Sequence, residues 1–365
     1  MAVSREGDRD TVSATGVSGN SFAERINRLH TSLLRDGVPV ADMRRAPALE
    51  LQFAGAGEIG RAAESTRPGF EPLEGSIASR LVPTAKIADS RLKYFLDGAQ
   101  RTFSVWRYGL IPIAATVVAA GILQRDPGGE GAIAPGTLQL EHCLLIPAGL
   151  DARVDELRAR IAEEGLRVLD PRELSASSDD VADYGRLHEL SYIAARRVRD
   201  ELEARVLQEW VHRPEWVTGD DWLTVDGRLR QPSPRTLGLV KQFSDAYLSG
   251  AEAETLLSLP PGYRTTAFRP EARKFGADSE ERSLWYLRLW DSSGLDARHA
   301  LVRIEAAASV SQTLEIDEIS SWILAERTPR AMADARWATL LYPVHLLERI
   351  LKRRLDADTR GWPGA

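Results

Sequence analysis

The chain contains a single cysteine, Cys143, so it can form no internal disulfide and has no cysteine-rich zinc site. Cys143 sits in Cys-Leu-Leu-Ile-Pro and reads as a small buried hydrophobe. Excess basic charge is also missing: 47 Lys and Arg face 53 Asp and Glu, for a formal net charge of -6. Such a chain does not coat DNA by charge alone. A role on nucleic acid then needs a local basic groove or a partner that carries the DNA. Long apolar runs are absent too. The longest, Leu110 to Leu123, is broken by Pro112 and is too short to span a bilayer. The opening Met-Ala-Val-Ser-Arg-Glu-Gly-Asp has no apolar signal core. The expectation is a cytoplasmic protein without a membrane segment.

Several catalytic signatures are missing as well. No two histidines stand at H-x-x-x-H spacing, and there is no Gly-x-Ser-x-Gly elbow and no Walker Gly-Lys-Ser/Thr. Gly55-Ala-Gly-Glu-Ile-Gly60 matches the dinucleotide pattern, but Pro68 arrives too soon for the helix that would cradle a pyrophosphate. A loop or short helix is expected there. The nine tryptophans are dispersed, as core or interface residues would be.

What is present is an ordinary globular composition, 43% hydrophobic, able to bury a core. Residues 1–20 are polar and read as a disordered tail. Residues 21–90 read as a helical and irregular N-terminal extension, beginning with a helix over 21–37 capped by Ser21. Residues 91–355 read as one mixed α/β domain, and 356–365 as a C-terminal tail. Within the domain, Leu92–Leu96, Phe103–Gly109 and Leu110–Leu123 read as three strands, mostly antiparallel, and His142–Pro147 as another. Helices are expected over 151–165 and about 184–211. In the second, Ala194, Val198, Leu202 and Val206 recur every four residues and mark the core face. Strands follow at Trp222–Asp226, Leu237–Val240, Leu284–Trp290 and Ala300–Ala306, then helices over 316–325 and 341–355.

Two Asp-Gly pairs, Asp97-Gly98 and Asp226-Gly227, each follow a short apolar strand. Alone, either is a common turn pair. Together they place two carboxylates at strand ends, the edge where α/β sheets hold ligands. Oxygen-only ligands suit Mg²⁺ or Mn²⁺, which also hold substrate phosphates. The long helix offers a third acid. Glu201 and Glu203 flank Leu202 by about 100° on either side of the apolar stripe. An ordinary ion pair along the helix is the competing reading for each.

These pieces resemble the NurA family of DNA-end-resecting nucleases, over about residues 90–355. The resemblance rests on Phe95-Leu-Asp-Gly98, Arg199-Asp-Glu-Leu-Glu-Ala-Arg-Val206, Leu223-Thr-Val-Asp-Gly-Arg-Leu229 and Leu237-Gly-Leu-Val-Lys241. Trp285-Tyr-Leu-Arg-Leu289, Leu301-Val-Arg-Ile-Glu305 and Leu341-Tyr-Pro-Val-His-Leu346 extend it, and the order and spacing of the pieces carry it more than any one of them. It implies an RNase H-like mixed sheet flanked by helices, with Asp97, Glu203 and Asp226 as metal ligands for Mn²⁺ or Mg²⁺, and Glu201 as the alternative to Glu203. It implies a catalytic role for Tyr342, and places Lys241 and Arg303 where they could meet DNA phosphate. It further implies 5′-3′ exonuclease and single-strand endonuclease activity on DNA. The expected assembly is a homodimer acting with a HerA-type hexameric ATPase, in DNA repair or antiviral defence. The chain departs from the family at one point. Where the pattern places a His or Asp after the tyrosine, this chain has Ile350, with His345 and Glu348 nearby at other spacings. A non-catalytic adaptor that docks on the ATPase ring is the rival expectation.

Overall fold

Residues 111–123 are buried on both sides, which an apolar stretch without alternation achieves only as a central strand covered on each face. The computed structural model describes residues 21–36, 43–45, 69–126, 130–174, 183–241, 247–270, 282–293, 295–328 and 339–360. The expected tail over 1–20 and the Gly55–Gly60 segment lie outside the described residues. In chain order the elements are α1 (Phe22–Arg35), β1 (Met43–Arg45), β2 (Phe70–Pro72), β3 (Ser79–Leu81), β4 (Leu92–Tyr108), β5 (Ile111–Arg125), β6 (Gly131–Ile133) and β7 (Gln139–Leu145). Next come α2 (Ala152–Glu163), β8 (Arg167–Leu169), α3 (Pro171–Leu174), α4 (Tyr184–Val211), α5 (Pro214–Thr218), β9 (Trp222–Asp226) and β10 (Thr236–Val240). The last are α6 (Ala251–Leu257), β11 (Tyr263–Thr265), β12 (Phe268–Pro270), β13 (Arg282–Arg288), β14 (Leu301–Ala307), α7 (Thr313–Glu326) and α8 (Tyr342–Asp358).

The strands join one mixed sheet in the order β2-β12-β13-β14-β10-β9-β4-β5-β7-β8, with β1, β3, β6 and β11 paired beside this path. β4, β9 and β10 run parallel to one another, β4 and β5 form a long antiparallel hairpin, and β10 meets β14 antiparallel. The expected separate strands at 92–96 and 103–109 are therefore one continuous strand, β4, bent by a bulge between Ser104 and Trp106. The chain before residue 91 contributes to the same sheet: β2 pairs with β12 and β3 with β11. At the other end, α8 continues through Asp358, into the segment expected to be a tail.

Period-2 alternation sorts the central strands between two helical layers. Phe95, Ala99, Phe103, Val117, Ala119 and Leu123 face a core built with α1, α2, α7 and α8. Tyr94, Leu96, Val118, Ala120 and Ile122 face α4 through Val198, Leu202 and Val206. The four-residue repeat of α4 is thus its buried stripe. Asp183 caps its start by accepting from the Arg186 amide at 2.8 Å, and Pro214 follows its end.

Fully buried polar side chains stitch the outer strands to the helices. Arg264 on β11 donates to both Glu74 oxygens at 2.6 and 2.8 Å and to Asp317 of α7 at 2.6 Å. Arg303 on β14 is also fully buried and donates to Glu305 at 2.8 Å, so it cannot meet DNA phosphate as expected from the resemblance. Among the described residues, no helix is long and apolar enough to cross a membrane.

Candidate metal centre

β9 ends at Asp226 while its neighbours β4 and β10 run on, and the gap beyond its last residue is the crevice of interest. The register pairs Leu96 of β4 with Val225 of β9, so the next residues, Asp97 and Asp226, come side by side on adjacent parallel strands. Only Asp226 stands at a strand end, however. Asp97 lies inside β4, and Gly98 continues the strand opposite Ala120 without a turn. Gly227 does turn, with φ of 123°, and its amide donates to the Leu239 carbonyl at 3.0 Å. The returning chain passes so close to β10 that a Cβ on Gly238 would lie 2.7 Å from the Leu229 nitrogen.

Gly98 has a different task. A Cβ there would fall 2.3 Å from Glu203 Oε1 and 3.0 Å from Arg199 Cγ. The missing side chain lets α4 lay Glu203 directly against β4. Glu201, by contrast, points outward to an exposed ion pair with Arg197 at 3.2 Å. Glu203 is therefore the helical acid at the sheet, and the two-residue difference between the alternatives is decided by which side of α4 faces Gly98.

The three acids influence one another's ionisation. Asp97 is 8% exposed and accepts a hydrogen bond from the Gly98 amide at 2.8 Å. Burial pushes its carboxyl well above the usual range, and the charges of Asp226 and Glu203 push it further; Lys241 and the Gly98 amide oppose them. Burial likewise raises Glu203 to about 7, with Asp200 and Asp226 adding to the shift and Arg199 and Arg230 working against it.

Each outer acid is held by a cation. Lys241 Nζ lies 2.7 Å from Asp226 Oδ2, and Arg199 Nε lies 3.2 Å from Glu203 Oε1. Asp200 fixes the second layer, taking Arg199 at 3.0 Å and Arg230 at 2.5 Å. The i,i+4 spacing of Arg199 and Glu203 was the sequence signal for their pairing, but nothing in the sequence marked Arg230.

Among the described residues, no group of three or more His, Cys, Asp or Glu side chains is gathered as a metal-binding shell. The three acids feel one another's charge, yet Asp226 turns to Lys241, Glu203 to Arg199 and Asp97 to the Gly98 amide rather than to a common point. The donor set fits a hard divalent cation: oxygen ligands alone, one of them a buried carboxyl whose negative charge its surroundings disfavour.

The C-terminal helix α8 carries Glu348, Ile350 and Tyr342. Glu348 on α8 pairs with Lys352 at 2.6 Å. Burial acts to raise its carboxyl, but Lys352, Lys241 and His345 together hold it below the ordinary value. Glu348 therefore stands in the field of the same Lys241 that holds Asp226. Ile350 packs on the hydrophobic core. Tyr342 begins α8 half-buried against that core, and no described hydrogen bond or ion pair joins it to the acids.

Comparison with protein-family models finds no match, and neither does comparison with curated proteins.

Proposed function

We propose that the chain is a metal-dependent deoxyribonuclease with an RNase H-like core, related to the NurA nucleases. What supports this above all is the juxtaposition of Asp97 and Asp226 on adjacent parallel strands, with Glu203 laid against Gly98 beside them. Asp97, Glu203 and Asp226 would hold Mn²⁺ or Mg²⁺. A bound divalent ion supplies an activated water and offsets charge on the scissile phosphate of DNA.

The chain's own residues do the rest. The Gly98 amide fixes the Asp97 carboxyl. Arg199, itself anchored by Asp200, orients Glu203. Lys241 neutralises Asp226 in the resting state and, once displaced from it, can turn to substrate phosphate, with Glu348 in reach of its charge. In this reading the protein works as a homodimer with a HerA-type hexameric ATPase that moves DNA, as a 5′-3′ exonuclease and single-strand endonuclease, in end processing or antiviral defence. The chain's net acidity suits a division of labour in which the motor grips the DNA.

A second reading is a non-catalytic adaptor on the ATPase ring. Ile350 in place of the family's ligand favours it, as do the ion pairs that already satisfy Asp226 and Glu203. Incubation with linear DNA and Mn²⁺ separates the two. We expect cleavage that Asp97→Ala abolishes while the variant remains folded. No cleavage, with or without the ATPase, sinks the nuclease reading, and cleavage that survives Asp97→Ala sinks the site.

A further inference from the structure

Away from the acidic crevice, the β7–β8 edge of the sheet carries a cavity of about 360 Å³. Three arginines reach it from three elements: Arg25 of α1, Arg167 at the start of β8 and Arg205 of α4. The cavity forms because β8 is short. It pairs only with Cys143–Leu145, leaving the earlier half of β7 without a strand on that side.

Glu141 of β7 organises the cavity. One of its carboxylate oxygens takes Arg167 and the other takes Arg205 at 3.2 Å. Glu141 is largely buried, whereas the two arginines are 41% and 48% exposed. A guanidinium carries five N–H donors in a planar fork, so each keeps most of its donors after this contact. Arg25 forms no ion pair among the described residues. His142, on the same wall, is taken up by Asp358 at 2.5 Å. Three guanidiniums thus line a cavity that holds one carboxylate, a concentrated positive site on a chain whose net charge is -6.

We propose that this cavity binds a phosphate group. Its guanidiniums offer paired, charge-assisted donors to phosphoryl oxygens, the recognition for which arginine is better suited than lysine. The surplus positive charge matches a phosphate anion, and Glu141 holds two of the forks in place before the ligand arrives. The assignment stands on the cavity alone. Where the chain acts on DNA, the phosphate is one on the DNA: β7 lies two strands from β4, about 10 Å across the sheet from the strand of Asp97.

The test uses the full chain without divalent cations, so that no DNA is cut. Inorganic phosphate is titrated first, by thermal shift. Short single-stranded oligonucleotides ending in 5′-phosphate or 5′-hydroxyl follow, by fluorescence anisotropy. We expect phosphate to stabilise the wild type and Asp97→Ala equally. Arg25→Gln and Arg205→Gln should each weaken binding about tenfold, the usual loss for one charged hydrogen-bond partner. Each should also lower the salt dependence of oligonucleotide binding by about one contact. Arg25→Gln removes no described ion pair, so it keeps the test open if Arg205→Gln is unstable. Preference for the 5′-phosphate identifies a strand terminus as the ligand and equal binding an internal phosphodiester; inorganic phosphate alone identifies the free ion. Phosphate binding unchanged in both variants overturns the proposal, as does failure of every probe to bind. Phosphate binding by a wild-type chain that cuts no DNA in the separate Mn²⁺ assay counts against the nuclease reading only.

Discussion

Gly98→Ala isolates the contact on which the candidate centre depends. The added methyl would start 2.3 Å from Glu203 Oε1, 2.9 Å from Glu203 Cγ and 3.0 Å from Arg199 Cγ. None of these atoms is backbone, so relief comes from rotating Glu203 off the sheet and shifting the stem of Arg199. Overpacking of this kind costs about 1–3 kcal/mol, and replacing glycine inside a strand returns about 0.5–1 kcal/mol of chain entropy. The net expectation is a loss of up to about 2.5 kcal/mol, centred near 1 kcal/mol. Urea denaturation reads it as a lower midpoint at unchanged slope. Because Glu203 provides the two closest atoms, most of the loss should disappear in a Glu203→Ala background, a coupling that a double-mutant cycle measures directly. Under the nuclease reading, Gly98→Ala should also abolish stabilisation by Mn²⁺, since it moves the Glu203 carboxylate off the sheet. If the variant is as stable as the wild type, or if its cost is the same without Glu203, α4 does not rest on Gly98 as described and the third ligand must be sought elsewhere.

Glu203 also predicts a pH dependence in the metal-free chain. Burial first, and the Asp200 and Asp226 charges after it, lift its folded value to about 7 from the ordinary 4.5. A group raised in the folded state contributes stability below its unfolded value and loses it as pH rises through the folded one. In chelator, stability should therefore fall between about pH 4.5 and 7, by an amount on the order of 3 kcal/mol for this group, and Glu203→Gln should flatten that slope. An identical slope in the variant removes Glu203 as its source. Lys241→Ala frees Asp226, so under the nuclease reading it should increase the thermal stabilisation produced by Mn²⁺; no change favours the adaptor. Arg264→Ala leaves Glu74 and Asp317 without their buried partner and should cost about 3–5 kcal/mol in thermal unfolding, far from the crevice and without altering Mn²⁺ binding in the residual folded protein.

The sequence by itself determined the elements with strong periodicity. The repeat Ala194, Val198, Leu202 and Val206 specified the long helix and its buried stripe, because a 3.6-residue turn returns every fourth side chain to one side. The β-branched and aromatic run at Trp222–Asp226 specified a short strand, and Gly227 its end. It also put Asp97, Asp226 and one of two glutamates forward as candidates. What sequence could not supply was anything set by neighbours distant along the chain. Asp97-Gly98 reads locally as a turn, yet β5 pairs straight through it, so the glycine serves α4 and not a bend. Arg303 reads as an available cation, yet it is enclosed with Glu305 in the middle of the sheet. The choice of Glu203 over Glu201 depended on how α4 is rotated about its axis, which packing against β4 and β5 decides. The pairing of Lys241 with Asp226, the field of Glu348 beside it, and the three arginines around Glu141 arise where strands of unequal length end beside one another. Local propensity encodes where a strand begins and stops; only the assembled sheet decides which side chains meet in the gaps it leaves.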